Sequence, residues 1–321
     1  MADHARVREY YEGNTRGFLR FGGASGRTGS LHRSLRLPGV TTSTQSIDAI
    51  HHILLGLLVD LGAVRPRQRG GGNGAKPALV ADLGCGVGAT MQWLFEHADV
   101  ETVGITVSPY QAHVAGARLR SRGRVVEGSF TSGADLRRMA GDRALDAAIM
   151  IESFVHAAEP EALFRALSRQ MKPEGVLIIC DDMPTTRLLR ETRARSGRAR
   201  LNRRLAADFR LGWQIAGFRS AREIVRLGAG TGWRLVQSLD LTEYVVTNRP
   251  RDYLARAAAG PARLMGLRGH WWQNVTGGAA LQRLIRRRLV RYRLLVFEKV
   301  APPSFSGSSG RGRPSRGRSR S

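Results

Sequence analysis

Lysine is almost absent. Only Lys76, Lys172 and Lys299 stand among 51 basic residues, so the net charge of +25 is carried by arginine. An anionic partner and a plain arginine bias in the coding sequence both account for that charge, because the arginines are scattered as well as clustered. Cysteine is scarce too. Cys85 and Cys180 fall in different parts of the chain, which excludes a disulfide framework and points to a reducing, cytoplasmic setting. No run approaches the ~20 apolar residues of a membrane span. The opening Met1-Ala2-Asp3-His4-Ala5-Arg6 has no apolar stretch behind it, so no signal peptide is visible. No His/Cys/Asp/Glu cluster has metal-ligand spacing; Asp181-Asp182 are adjacent, but strand alternation points them to opposite faces. The expected metal set is none.

What is present is enough to build a fold. The chain has 321 residues, of which 42% are hydrophobic, so it can bury a substantial core. From residue 78 onward, short apolar runs alternate with 10–15-residue stretches of helical spacing. Strands are expected at Ala78–Leu83, Val100–Val107, Arg124–Glu127, Leu145–Ile151, Val176–Cys180, Arg234–Leu239 and Val290–Val300. Helices are expected at Ser43–Leu61 (N-cap Ser43 or Ser46), Pro109–Leu119 (N-cap Ser108), Glu161–Met171 and Ser220–Leu227. Strand–helix alternation of this kind gives an α/β, Rossmann-like, seven-stranded and mostly parallel sheet. Ligands in such sheets sit beyond the carboxyl ends of the strands.

The most informative stretch is Asp82-Leu83-Gly84-Cys85-Gly86-Val87-Gly88, which turns from the first strand into a helix. Glycines at alternate positions permit positive φ and close backbone approach to a ligand. Free N–H groups at the next helix start favour a carboxylate or phosphate. The dinucleotide spacing G-x-G-x-x-G is not met, because Ala89 holds the third position.

This stretch resembles motif I of class I S-adenosylmethionine-dependent methyltransferases. Three further stretches resemble the sterol, tocopherol and cyclopropane-fatty-acid-synthase-like small-molecule subgroup, which includes prenyl-diphosphate C-methyltransferases. These are Tyr10-Tyr11, Gly104-Ile105-Thr106-Val107-Ser108-Pro109-Tyr110-Gln111, and Ile151-Glu152-Ser153-Phe154-Val155-His156-Ala157. The resemblance implies S-adenosylmethionine as cofactor and a small-molecule acceptor. It implies that Asp82, Gly84, Gly86, Gly88, Thr106, Gln111, Ser129 and Phe130 line the cofactor. Thr106 and Ser129 stand where many relatives place acidic side chains. Glu152 and His156 are spaced to share one helix face, and with Tyr11 they form the expected catalytic set. Either Glu152 or His156 could take a proton; orienting the N-terminal tyrosines and structural hydrogen bonding are the alternatives.

The expected organisation is an N-terminal helical cap with a mobile aromatic flap (1–77), a methyltransferase domain (78–303) and a disordered basic tail (304–321). Lid insertions fall at 184–215 and 242–289. Residues 187–204 hold eight arginines and one glutamate, suited either to clamping a diphosphate or to solvation. Trp271 and Trp272 are candidate apolar walls. The implied activity is methylation of a hydrophobic small molecule, such as an isoprenoid or quinol, with C-methylation of a prenyl diphosphate as its sharpest form. An O- or N-methyltransferase of a polar metabolite, a nucleic-acid-associated protein and a fold that binds the cofactor without transfer are the rivals. No aromatic-plus-basic recognition module stands in the globular part, so nucleic-acid contact is expected only from the tail. A homo-oligomer stays open.

Overall fold

The computed structural model describes residues 2–21, 29–67, 76–192, 196–247, 250–266 and 269–300. In chain order the elements are α1 (Ala2–Phe21), α2 (Ser43–Asp60), β1 (Ala78–Leu83), α3 (Ala89–His97), β2 (Val100–Thr106), α4 (Pro109–Leu119), β3 (Gly123–Glu127), α5 (Gly133–Ala140), β4 (Leu145–Ile151), α6 (Pro160–Ser168), β5 (Met171–Pro184), α7 (Thr186–Glu191), α8 (Gly197–Gly212), α9 (Ala221–Ala229), β6 (Trp233–Asp240), α10 (Pro250–Leu264), α11 (His270–Arg286) and β7 (Val290–Lys299). The seven strands form one sheet in the order β3-β2-β1-β4-β5-β7-β6. Only β7 runs antiparallel to its neighbours.

Side-chain alternation along the strands fills two layers. On one face Ala148 and Met150 of β4 and Leu177 and Ile179 of β5 pack with Leu136, Phe164 and Ile224 from α5, α6 and α9. On the other, Ala147, Ile149, Val176 and Ile178 pack with Ile50, Leu54 and Leu58 of α2 and with Trp93 and Leu94 of α3. These strands are buried on both faces, which is why they read as continuous apolar runs rather than alternating ones.

A third cluster lies outside the sheet layers. Leu205 and Phe209 of α8 pack against Leu281 and Leu284 of α11, together with Val155 and Leu188. The two helices meet glycine to glycine. A Cβ on Gly212 would lie 2.3 Å from the Gln273 carbonyl oxygen, and one on Gly277 would lie 2.8 Å from Gly212 Cα.

Several expectations are corrected. The N-terminal stretch forms one 20-residue helix, longer than the short one expected. From residue 29 on, the described part of the expected flap is tied down, with Leu35 N–H donating to the Ser46 carbonyl at 2.7 Å and Arg36 N–H to the Tyr244 carbonyl at 2.8 Å. Thr42, not Ser43 or Ser46, caps α2, in a reciprocal box with Gln45; Ser46 donates to the Leu35 carbonyl instead. The helix at 161–171 ends at Ser168, because Met171 already pairs with Leu145 of β4. Strand β5 continues past Cys180 to Pro184, held by β7. The glycines at 22–26, the loop at 68–75, the arginines at 193 and 195, and the 304–321 tail lie outside the described residues.

Candidate active site

The turn after β1 is built as its glycines demand. Gly84, Gly86 and Gly88 have φ of 92°, 52° and 76°. At Gly84 a Cβ would come 2.5 Å from Ser153 Cβ, and Ser153 Oγ donates to the Leu83 carbonyl at 2.6 Å. The loops after β1 and β4 therefore pack directly on each other. Helix α3 begins at Gly88 with no side-chain cap, so its first-turn N–H groups keep their capacity for an anion.

A cavity of about 530 Å³ opens above this turn. All the sequence-picked residues except Gly88 line it: Asp82, Gly84, Gly86, Thr106, Gln111, Ser129, Phe130, Tyr11, Glu152 and His156. Gly88 stands one residue behind, its Cα face against Ala115 of α4. Helices α10 and α11 close the far side with Ala255, Val275 and Leu281. Trp271 lines the cavity while remaining 47% exposed, and Trp272 does not line it.

Asp82 is 5% exposed and has no hydrogen-bond partner among the described residues. Burial pushes its pKa up to about 7. Thr106 and Gln111 are already committed. Thr106 Oγ1 donates to Gln111 Oε1 at 2.8 Å, and Gln111 Nε2 donates to Thr15 Oγ1 of α1 at 2.9 Å. Glu12, also on α1, accepts from Ser108 Oγ and from Tyr110 N–H at the start of α4. One face of α1 is thus bound to the loop beyond β2. Ser129 N–H donates to Asp135, and its hydroxyl lies 2.9 Å from that of Thr131. Phe130 presents its ring to the cavity.

Glu152 and His156 do not share a helix face. Glu152 stands in a turn at φ 52°, and His156 ends a single 3₁₀ turn, Phe154–His156. Glu152 Oε1 accepts from Arg33 N–H at 2.8 Å and from the Tyr292 hydroxyl at 3.0 Å. The Arg33 guanidinium lies 3.6 Å from the same carboxylate and pairs with Asp182. Burial works against that guanidinium's charge, but Asp182, then Glu152, hold its pKa above the ordinary value. The tyrosines answer to other partners. Tyr10 hydroxyl donates to Asn274 Oδ1 of α11 at 3.0 Å. Tyr11 hydroxyl lies 2.9 Å from His156 Nε2. His156 Nδ1 faces the Gln214 carbonyl at 3.2 Å, so that nitrogen carries the proton and Nε2 accepts from Tyr11. Burial pushes His156 down to about 4 and raises Tyr11 well above 10, the latter with help from Asp181 and Glu152. Asp181 fixes the turn by accepting Val155 N–H at 3.0 Å. Both aspartates of the Asp181-Asp182 pair are thereby occupied within the protein. Among the described residues no cluster of three His, Cys, Asp or Glu could hold a metal.

Sequence reasoning missed Arg33, Tyr292 and Asn274. Tyr292 did carry a signal: Arg291 and Arg293 flank it in β7, so period-2 alternation turns the tyrosine inward. Arg33 and Asn274 carried none, since each is placed by partners far along the chain.

Known proteins bear on this geometry. The family model described as a methyltransferase domain matches residues 81–179. The matched segment runs from the middle of β1 to β5 and includes the loops that floor the cavity. The chain is 28% identical over 219 residues to 24-methylenesterol C-methyltransferase 3 of Arabidopsis thaliana, covering 67% of this chain and 54% of that one. It is 33% identical over 102 residues to methyltransferase GfsG of Streptomyces halstedii, covering 32% and 37%. The chain spans about half the length of the sterol C-methyltransferase. Among solved structures, mycolic acid cyclopropane synthase CmaA1 superposes with TM-score 0.67 at 16% identity, covering 92% of this chain and 98% of that one. The geranyl diphosphate C-methyltransferase of Streptomyces coelicolor A3(2) superposes with TM-score 0.60 at 15% identity, covering 94% and 99%. At those identities the likeness is one of fold.

The cavity floored by the matched segment suits S-adenosylmethionine, the methyl donor that the match to a methyltransferase domain points to. Its ammonium and sulfonium call for a negative group, which the partnerless Asp82 offers. Its carboxylate calls for N–H donors, which the uncapped α3 start offers. Its adenine calls for a flat apolar face, which Phe130 offers.

Proposed function

We propose that the chain transfers a methyl group from S-adenosylmethionine to an apolar, uncharged small molecule. When bound, that cofactor supplies an electrophilic methyl on a cationic sulfur. The observation that carries the reading is continuity: one cavity runs from the Gly84–Thr90 turn to the apolar residues of α11. Donor and acceptor can then share a dry space, and alignment there does most of the work.

Methylation of a carbon, oxygen or nitrogen nucleophile ends with loss of a proton from the acceptor. The Tyr11–His156 pair is built to take it. The neutral Nε2 of His156 receives the Tyr11 proton as the phenol oxygen receives the acceptor's. Glu152 is the orienting group in this reading: its carboxylate fixes the Arg33 backbone and Tyr292, closing the cavity floor. The arginine-rich lid stretch favours an uncharged acceptor over a diphosphate. Among the described residues of 187–204, no arginine lines the cavity, and Arg33, which does, is committed to Asp182.

Labelled S-adenosylmethionine offered with panels of isoprenoids, quinols and polyketides tests the reading. Transfer to a neutral apolar member is expected, with S-adenosylhomocysteine formed one for one. Transfer only to diphosphates, only to polar metabolites, or to none while the cofactor binds, would overturn it.

A further inference from the structure

A second polar chain leaves the cavity at His32 and runs between α2 and α3. His32 lines the cavity, and His51 on α2 is 1% exposed. The two Nε2 atoms lie 3.0 Å apart. His32 Nδ1 faces the Arg33 carbonyl at 3.1 Å, and His51 Nδ1 faces Asp48 Oδ1 at 3.5 Å. Thr90, in the first turn of α3, brings its hydroxyl within 3.1 Å of His51 Nε2.

The protons can be counted. Two neutral imidazoles carry two N–H groups. A carbonyl and a carboxylate only accept, and the nitrogen–nitrogen contact needs one proton. Three contacts therefore need three protons, one more than the pair holds. The distances show where the shortfall lies. The Arg33 and inter-ring contacts have hydrogen-bond length, while His51 Nδ1 and Asp48 Oδ1 are both buried without a hydrogen-bond partner among the described residues. A third proton on His51 Nδ1 would turn that gap into a charge-assisted hydrogen bond.

The surroundings keep this proton off until something negative arrives. Burial foremost lowers the pKa of His51; His52 on its own helix and His97 on α3 push the same way, and Asp48 pushes back. Trp93 of α3 covers the ring at 5.3 Å. His32 is pushed down to about 4 by burial and then by His51, against the Arg33 carbonyl, Glu152 and Asp48. Thr90 connects the pair to the place where a negative group would sit, because it both touches His51 and lines the cavity at the α3 start. Asp82, buried on the same cavity wall with no partner among the described residues, calls independently for a cation beside that anion, as an amino-acid moiety provides.

We propose that a ligand carboxylate seated at the start of α3 draws one proton from solvent onto His51 Nδ1, making an imidazolium paired with Asp48, so that ligand binding and proton uptake are coupled. The proposal rests on the donor reading above, in which the carboxylate is that of the methionine moiety.

Calorimetric titration of the full chain with S-adenosylhomocysteine, in buffers of low and high ionisation enthalpy near pH 6.5, reads the proton directly. The wild type should take up more protons than His51→Asn, and Asp48→Asn should lose much of the same difference. Proton release from Asp82 is common to all three and cancels in the comparison. Asp48→Asn lies in the first turns of α2 and keeps the test open if His51→Asn does not fold. Binding with the same buffer dependence in wild type and variants would overturn the proposal alone. No binding by the wild type would overturn the donor reading and the proposal with it.

Discussion

The two walls of the cavity are made differently. The sheet-side wall consists of four loops at strand ends, each a few residues long and each anchored by a strand buried on both faces. The cover consists of helices α1, α10 and α11, with α8 packed behind α11, and it is tied together and to the strand-end loops by scattered side-chain contacts such as Tyr10–Asn274 and Gln111–Thr15. Among the described residues, six of the eight exposed large apolar ones, including Leu211, Leu254 and Trp271, lie on α8, α10, α11 or the α10–α11 turn. A wall made of backbone turns holds an invariant piece of ligand; a wall made of side chains on helices sets the shape of the variable piece. The difference teaches where donor and acceptor functions should separate under mutation.

The largest effect is expected at Gly84. A valine there must hold a positive φ, at ~1–3 kcal/mol of strain, and drive a side chain into Ser153. S-adenosylhomocysteine binding measured by calorimetry should vanish; retention within a few-fold would place the donor elsewhere. Next come Tyr11→Phe and His156→Ala, each expected to lower turnover ~10²-fold with donor affinity unchanged. Wild-type rates in both variants would remove the pair from the chemistry. The base is active when His156 is neutral, and its pKa is about 4. Turnover should therefore be independent of pH above about 5 as far as this group is concerned, and fall as pH drops through 4 while the ring charges. A rise in rate on acidification would reverse the assigned role.

A smaller effect is expected on the helical side. Gly212→Ala overpacks the α8–α11 crossing and should cost ~1–3 kcal/mol, read as a lowered melting temperature. It should raise the acceptor KM and leave donor affinity alone; weakened donor binding would erase the division between the walls. The smallest is Gln111→Ala, which removes one of the ties between the β2 loop region and α1, the Glu12 contacts remaining. It should cost ~0.5–1.5 kcal/mol and increase protease cleavage within α1. No change in cleavage would mean that the Glu12 contacts and the α11 side suffice to hold α1.

The same contrast governs what could be read from the sequence. The strand-end wall was legible because its physics is local. Alternate glycines, a buried carboxylate and an apolar run lie within a dozen residues and fix the turn between them. The mostly parallel sheet followed from strand–helix alternation, though its strand order did not. Helix α5 gave no clear apolar period, since only eight residues form it. The cover was legible only as lengths of chain. Its helices are set by distant contacts, as the Gly212–Gly277 approach shows, and spacing within either helix does not reveal the partner. The Glu152–His156 spacing misled for a related reason. A four-residue separation means one face only in a continuous helix, and here Glu152 turns at positive φ to meet Arg33 and Tyr292. Asp181 then draws the next turn toward β5, leaving His156 to Tyr11.

Hydrogen–deuterium exchange with and without S-adenosylhomocysteine compares the two walls in one measurement. The account predicts that added ligand protects the Gly84–Met91 and Ser129–Thr131 segments, with little change across α10 and α11. Protection confined to α10 and α11, with the β1–α3 turn unchanged, would contradict it.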